Sequence, residues 1–318
     1  MRRGFLFALL AASFAAAAHP AGAELLKVGK SPGSLLAYVP LDVGIEKGFF
    51  AKRGLEIEVV NFDGASKQDM ALAAESIDVA CGSPMSMSLM VRGLDAKGIA
   101  VIAGPNRELA VLLGADSPVK ALDELKGKAI GVATAGSITE WAALELARVK
   151  GWGKDGIRRV AVGAGTAAHI AALRAHLVDA TVANVMTGVV LEQQKQGRRL
   201  ALVSDYAGPF VTHEMTAPQK TIRERPDALK RLLAGWMEAV AFMHENKAET
   251  VRIARGVTGL DQGQEELEYD LVLPEISVDG RHDPKDMARI GESFVELGIL
   301  DKAPDMTKLY TNDFLPAR

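Results

Sequence analysis

Two periods of apolar spacing alternate along residues 24–203. Short apolar or alternating runs of strand length are each followed by a stretch with apolar residues three and four apart, the mark of one helix face. In the first half this predicts strands at 26–29, 55–62, 77–81 and 99–103, with helices over 35–47, 66–74 and 85–91. That β-α-β-α-β-α-β order belongs to a parallel sheet with helices on its faces. After a loop at 104–108 the pattern restarts, with strands at 109–113, 129–133, 160–162, 179–183 and 200–203 and helices between them. From residue 216 onward the strand period disappears. Helices are predicted over 222–244, 248–255, 262–272 and 284–297. A helical third without a sheet of its own is expected to pack onto the first unit. The second unit is then an insertion, entered near 105–109 and left near 204–209. The expected organisation is one lobe from 24–106 and 210–318 and another from 107–209, joined by a two-strand hinge that permits closure about a ligand.

Residues 125–152 carry the clearest local signal. Ala129–Val132 and Ala133 form an apolar strand, Thr134, Ala135 and Gly136 break it, and Ser137 with Glu140 has the form of a capping box. Ile138, Ala142, Leu146 and Val149 follow on one face, and Gly151 stands where a C-terminal cap is expected. A strand entering a helix through small residues places free N–H groups at the carboxyl edge of a sheet, where open α/β sheets bind ligands. This turn is read as one wall of a cleft. The helix-to-strand joins at 72–80 and 173–181 resemble each other, each leading into an Asp-headed strand (Asp78, Asp179). This fits two lobes of like topology.

Composition narrows the class. Charged residues are 24% and the net charge is −3, which argues against nucleic-acid binding. Aromatic residues at 5% exclude a cleft lined throughout by stacking rings. Arg2 and Arg3, an apolar stretch over 5–18 and Ala21-Gly22-Ala23 read as a secretory leader over 1–23. Its removal leaves Glu24 first and a net charge of −5. No cysteine follows the cleavage site, so a lipid anchor is not predicted. The one cysteine, Cys81, excludes an internal disulfide and is expected as a buried small hydrophobe at a strand end.

The chain resembles the periplasmic substrate-binding proteins of ABC importers in the nitrate, sulfonate and taurine group, together with their thiamine-pyrimidine-precursor relatives. The resemblance rests on residues 44–60 (GIEKGFFAKRGLEIEVV), 71–84, 125–137, 171–184 and 225–246 (RPDALKRLLAGWMEAVAFMHEN), in that order. It implies the α/β type II periplasmic binding fold, a periplasmic location, a small-molecule solute, no cofactor, and a monomer that docks onto a membrane permease. It also places ligand contacts at the strand ends: Ser34 and Tyr38 in the first loop, Gly82 and Ser83 after the third strand, and Gly136, Ser137, Ile138 and Asn184 in the second lobe. Family members usually carry glycine where the helices end before the Asp-headed strands; here stand Glu75 and His176, at a cost of about 1 kcal/mol each.

Each assignment has a plainer alternative. Ser137 is read either as a helix cap alone or as a cap that also touches ligand, and Tyr38 as a ring wall or a surface helix residue. His169 and His176 share a predicted helix face, but no third ligand accompanies them, so no metal site is predicted. Three function classes stand: an import receptor, an enzyme on the same fold, and a sensor that presents its closed form to a membrane partner. The lone Cys81 counts against the enzyme, whose relatives carry a cysteine-rich motif. Helix N-termini and serines favour a small organic anion. Asp63, if it faces the cleft, favours an amine or a protonated ring instead.

Overall fold

The computed structural model describes residues 22–153 and 155–317, so the expected leader lies almost wholly outside the described residues. Its strands are β1 (Glu24–Lys30), β2 (Leu55–Asn61), β3 (Val79–Gly82), β4 (Ala96–Ala103), β5 (Leu109–Gly114), β6 (Ala129–Val132), β7 (Arg158–Ala161), β8 (Ala180–Asn184), β9 (Gly197–Leu202) and β10 (His213–Pro218). The helices are α1 (Val39–Glu46), α2 (Ala65–Ala73), α3 (Met87–Val91), α4 (Ile138–Val149), α5 (Thr166–Arg174), α6 (Val185–Gln193), α7 (Gln219–Glu224), α8 (Pro226–Glu245), α9 (Lys247–Thr258), α10 (Gln262–Val272) and α11 (Pro284–Glu296).

The strands form two five-stranded sheets, ordered β2-β1-β3-β10-β4 and β7-β6-β8-β5-β9. The two orders are equivalent. In each, one antiparallel strand separates two otherwise co-directional groups: β10 between β3 and β4, and β5 between β8 and β9. The sequence echo falls at matching places, α2 into β3 and α5 into β8. Its aspartates have matching roles as well. Asp78 accepts the Lys27 N–H and Asp179 the Ala129 N–H, both at 2.8 Å, so each carboxylate pins the neighbouring parallel strand. Glu75 (φ 53°) and His176 (φ 52°) take the left-handed conformation at the two joins.

Two expectations are corrected here. Strand β10 was not predicted, because HEMTAP has little apolar alternation and ends in proline; its His213 and Glu214 are buried regardless. The helix predicted over 222–244 is two helices. Pro226 crowds the backbone of the preceding residue out of the helical region, and Arg225 sits at φ −132°, ψ 40°. The Arg225 guanidinium at this break pairs with Glu24 and Asp78 at 2.8 Å, tying α8 to the start of β1. Beyond the break the pattern holds: Leu229, Leu232, Leu233, Trp236, Val240 and Met243 are all buried in the core of the first lobe. No helix among the described residues is long and apolar enough to cross a membrane.

The chain passes between the lobes twice, over 104–108 and 203–212. Glu275 holds the first passage: its carbonyl accepts the Gly104 N–H at 2.9 Å and its carboxylate the Arg107 N–H at 3.2 Å. Burial, then repulsion from Glu108, pushes the Glu275 carboxyl up to about 8. At the opposite rim the lobes touch. The Ser66 hydroxyl donates to the Ala135 carbonyl at 3.0 Å, and the Ala164 N–H reaches Asp63 at 3.4 Å. The two lobes are therefore closed over the space between them.

Candidate functional site

Between the facing strand ends lies a cavity of about 100 Å³. This is somewhat less than the roughly 150 Å³ that admits a benzene ring, so it suits a small solute. Lobe one lines it with Ser31 and Ser34 after β1, Gly64 and Ala65 after β2, and Ser83 after β3. Lobe two contributes Ser137, Ile138 and Thr139 after β6, Thr166 and His169 after β7, and Asn184 and Thr187 after β8. Glu108 and His213 enter from the two passages, and Glu268 from α10.

Of the residues expected at the site, Ser34, Ser83, Ser137, Ile138 and Asn184 line this cavity and Tyr38, Gly82 and Gly136 do not. Tyr38 is fully buried behind the first loop, where the chain turns inward with apolar neighbours on both sides. Its hydroxyl lies 3.2 Å from the Ser31 carbonyl and 3.0 Å from His213 Nδ1, so it supports the cavity from outside. Gly82 makes room for a side chain: a Cβ there would stand 2.5 Å from Gln68 Oε1. Gly136 (φ 74°) donates its N–H to Glu140 Oε2 at 2.8 Å. This also corrects the capping box, since Glu140 reaches the residue before the cap. Asp63 bridges the rim and does not line the cavity.

The polar residues read from the strand ends are largely occupied as helix caps. Ser83 accepts from Met85 N at 3.2 Å, Asn184 from Met186 N at 2.8 Å and Ser137 from Glu140 N at 3.3 Å. Ser137 also donates to the Thr134 carbonyl at 2.7 Å and lies 2.9 Å from Thr139 Oγ1. Its single proton is engaged. Asn184 keeps its amide donors and Ser83 its hydroxyl proton.

The residues that sequence reasoning missed come from farther afield. His169 Nδ1 lies 2.6 Å from Thr181 Oγ1, whose own proton goes to the Gly131 carbonyl at 3.0 Å. Nδ1 must therefore carry the proton, and Nε2 is left as an acceptor. Burial lowers the His169 imidazole to about 4, keeping it neutral. His176 lies past the end of α5, mostly exposed, so the two histidines share no face. Glu108 Oε1 stands 2.7 Å from His213 Nε2, both side chains buried. Burial raises the Glu108 carboxyl, but the His213 charge and hydrogen bonds outweigh it and leave Glu108 below its ordinary value. Burial foremost, with the charges of Glu265 and Glu108, pushes Glu268 well above the usual carboxylate range. Nothing in QGQEELEYDLV marked Glu268 as different from its acidic neighbours. Among the described residues no lysine or arginine lines the cavity. Cys81 lies in the buried core of lobe one, outside the cavity, and burial pushes its thiol up to about 12.

Comparison with known proteins follows this geometry. Proteins named as binding proteins in Brucella abortus and Brucella suis are 25% identical over 287 residues, covering 87% of this chain and 87% of theirs. The alkanesulfonate-binding protein SsuA of Xanthomonas axonopodis pv. citri, bound to MOPS, superposes with a TM-score of 0.78 at 17% identity, over 92% of this chain and 99% of that one. A protein from Bordetella bronchiseptica RB50 gives 0.77 at 22% identity, over 91% and 95%. A mutant of the desulfurization enzyme DSZB, in complex with biphenyl-2-sulfinic acid, gives 0.65 at 14%, over 92% and 97%. These likenesses show the periplasmic binding protein fold, type II by its strand order. A family model described as NMT1/THI5 like matches residues 37–250, most of the described chain, and the protein belongs to that family.

Proposed function

We propose that this protein is an extracytoplasmic receptor that closes its two lobes on a small solute and delivers it to the permease of an ABC importer. The observation that carries this reading is the closed cavity itself. It is walled by both lobes, floored by the two hinge passages, and sealed at the rim by the Ser66–Ala135 and Asp63–Ala164 contacts. The binding-protein names of the Brucella relatives and the SsuA structures support it. We further infer a monomer built from a lobe of residues 24–106 and 210–318 and a lobe of 107–209. A cleaved leader would place it in the periplasm. The enzyme reading finds little support, since Cys81 is buried away from the cavity with a thiol that stays protonated.

Mass spectrometry of ligand released from the purified protein, with calorimetry on the identified solute, tests the reading. A solute bound stoichiometrically and recovered unchanged is expected, with small-angle scattering contracting on binding. A compound turned over by the wild type and not by Cys81→Ser would replace the receptor with an enzyme.

A further inference from the structure

We propose that the cavity selects a small monocation bearing N–H donors, an ammonium or amidinium group, and that Glu268 is its counter-charge. This deepens the receptor reading and rests on it. The charge expected from the helix N-termini alone was the opposite one.

Three observations carry the inference. First, Glu268 is 3% exposed and lines the cavity, and its Oε2 is buried without a hydrogen-bond partner. Among the described residues no cation pairs with it. A buried carboxyl in that condition is costly until something donates to it. Second, the other ionisable groups of the cavity are partnered or neutral. Glu108 Oε1 lies 2.7 Å from His213 Nε2, burial keeps His169 neutral, and no lysine or arginine among the described residues lines the cavity. One uncompensated carboxyl matches one positive charge. Third, the cavity holds acceptors for further N–H bonds in the Nε2 of His169 and the unpartnered Ser31 Oγ, and the donors left free, the Asn184 amide and the Ser83 hydroxyl, are neutral. An anion would enter a space lined by two carboxyls, with no lysine or arginine among the described lining residues to offset its charge in a medium of low dielectric.

The helix N-termini offer an anion partial charge but no cation. The Glu140 and Met85 N–H groups go to Ser137 and Ser83, the Met186 N–H to Asn184, and the Gly136 N–H to Glu140, while α2 and α5 begin after Gly64 and Gly165 without a side-chain cap. The titratable groups facing Glu268 are Glu265 on its own helix, Glu108 and His213 at the hinge, and His169 on α5. Burial foremost, and then repulsion from the first two, raises this carboxyl, so an arriving cation is expected to displace a proton from it. Binding then releases a proton, and affinity rises with pH by up to about tenfold per unit until the carboxyl titrates unaided.

The test uses matched probes on the full mature chain: acetamidinium and ethylammonium as cations, acetamide as the neutral shape, and ethanesulfonate as the anion. Calorimetry in two buffers of different ionisation enthalpy gives affinity and proton release. The cations are expected to bind with proton release and at least tenfold tighter than acetamide. Glu268→Gln, which keeps shape and removes charge, is expected to weaken them about 30-fold or more and to abolish the release. Ethanesulfonate or acetamide binding the wild type as tightly as the cations, or Glu268→Gln leaving cation affinity unchanged, overturns the inference while leaving a receptor of another specificity. Binding by none of the classes, with no solute released from the purified protein, overturns the inference and the receptor reading together.

Discussion

Ser137→Ala separates framing the cleft from touching the solute. Besides a long contact from the Thr134 N–H at 3.5 Å, three contacts meet at this hydroxyl: it accepts from Glu140 N at 3.3 Å, donates to the Thr134 carbonyl at 2.7 Å, and lies 2.9 Å from Thr139 Oγ1. With the serine proton on Thr134, Thr139 must donate in the third contact, so the circuit closes without a free donor. Loss of an N-cap costs about 1 kcal/mol and loss of the second hydrogen bond about another. A destabilisation near 2 kcal/mol lowers the melting temperature by about 3 °C in a chain of this size. Because no donor is lost to the cavity, affinity for the natural solute should change by less than about threefold. Thermal unfolding and calorimetry on the same variant check both halves. A variant as stable as the wild type but binding more than tenfold more weakly would refute the reasoning and return Ser137 to the ligand.

Three further outcomes are expected. Glu275→Gln should flatten the pH dependence of stability. With an ordinary value of 4.5 raised to about 8, the native carboxyl keeps a proton that the unfolded chain has lost. The group's contribution is thus fully present below 4.5 and lost as pH rises through 8, at a slope of at most about 1.4 kcal/mol per unit. Denaturant melts from pH 5 to 9 that show equal slopes for both proteins would contradict this. His176→Gly should raise stability by about 0.5–1 kcal/mol in urea melts, since glycine relieves the left-handed backbone at φ 52° at some cost in chain entropy. Gly64→Ala should hold the lobes apart: its methyl would stand 2.3 Å from Thr134 Cγ2 across the rim. Scattering should show a more open molecule with solute affinity reduced at least about tenfold, and Thr134→Ala should recover part of that affinity; no recovery would trace the loss to the backbone at Gly64 (φ 111°) instead of the rim.

What could be read from the chain was local and repeated. The turn at 134–137 and its helix were legible because apolar spacing, cap and stop agree within 28 residues of sequence. The echo at 72–80 and 173–181 was legible because both joins solve one problem, an aspartate pinning the next strand. Strand β10 was not, since its identity comes from the gap between β3 and β4 and not from its own pattern. Tyr38 and Gly82 were misplaced for a related reason. Proximity to a strand end was taken as access to the cavity, whereas Tyr38 turns back to His213 and Gly82 yields its space to Gln68. Glu268 was out of reach altogether, because α10 meets the hinge only after the chain has crossed between lobes twice.

That distribution has a consequence for specificity. Ser83, Ser137 and Asn184 at the cavity edge are caps, and changing them trades away helix stability. The groups left for a solute lie mainly outside those caps: Glu108 and His213 on the hinge passages, and Glu268 on a helix of the chain's last third. Glu268 caps nothing, holds no strand and takes no hydrogen bond from any described residue. Substituting it therefore alters the charge of the cavity at little structural cost. A fold arranged in this way can change the sign of its ligand through one position on α10 while the paired sheets and their caps stay as they are. If that is correct, Glu268→Lys should fold as well as Glu268→Gln and gain affinity for ethanesulfonate. Loss of folding in the lysine variant alone would show instead that the cavity is too dry to hold a cation of the protein's own.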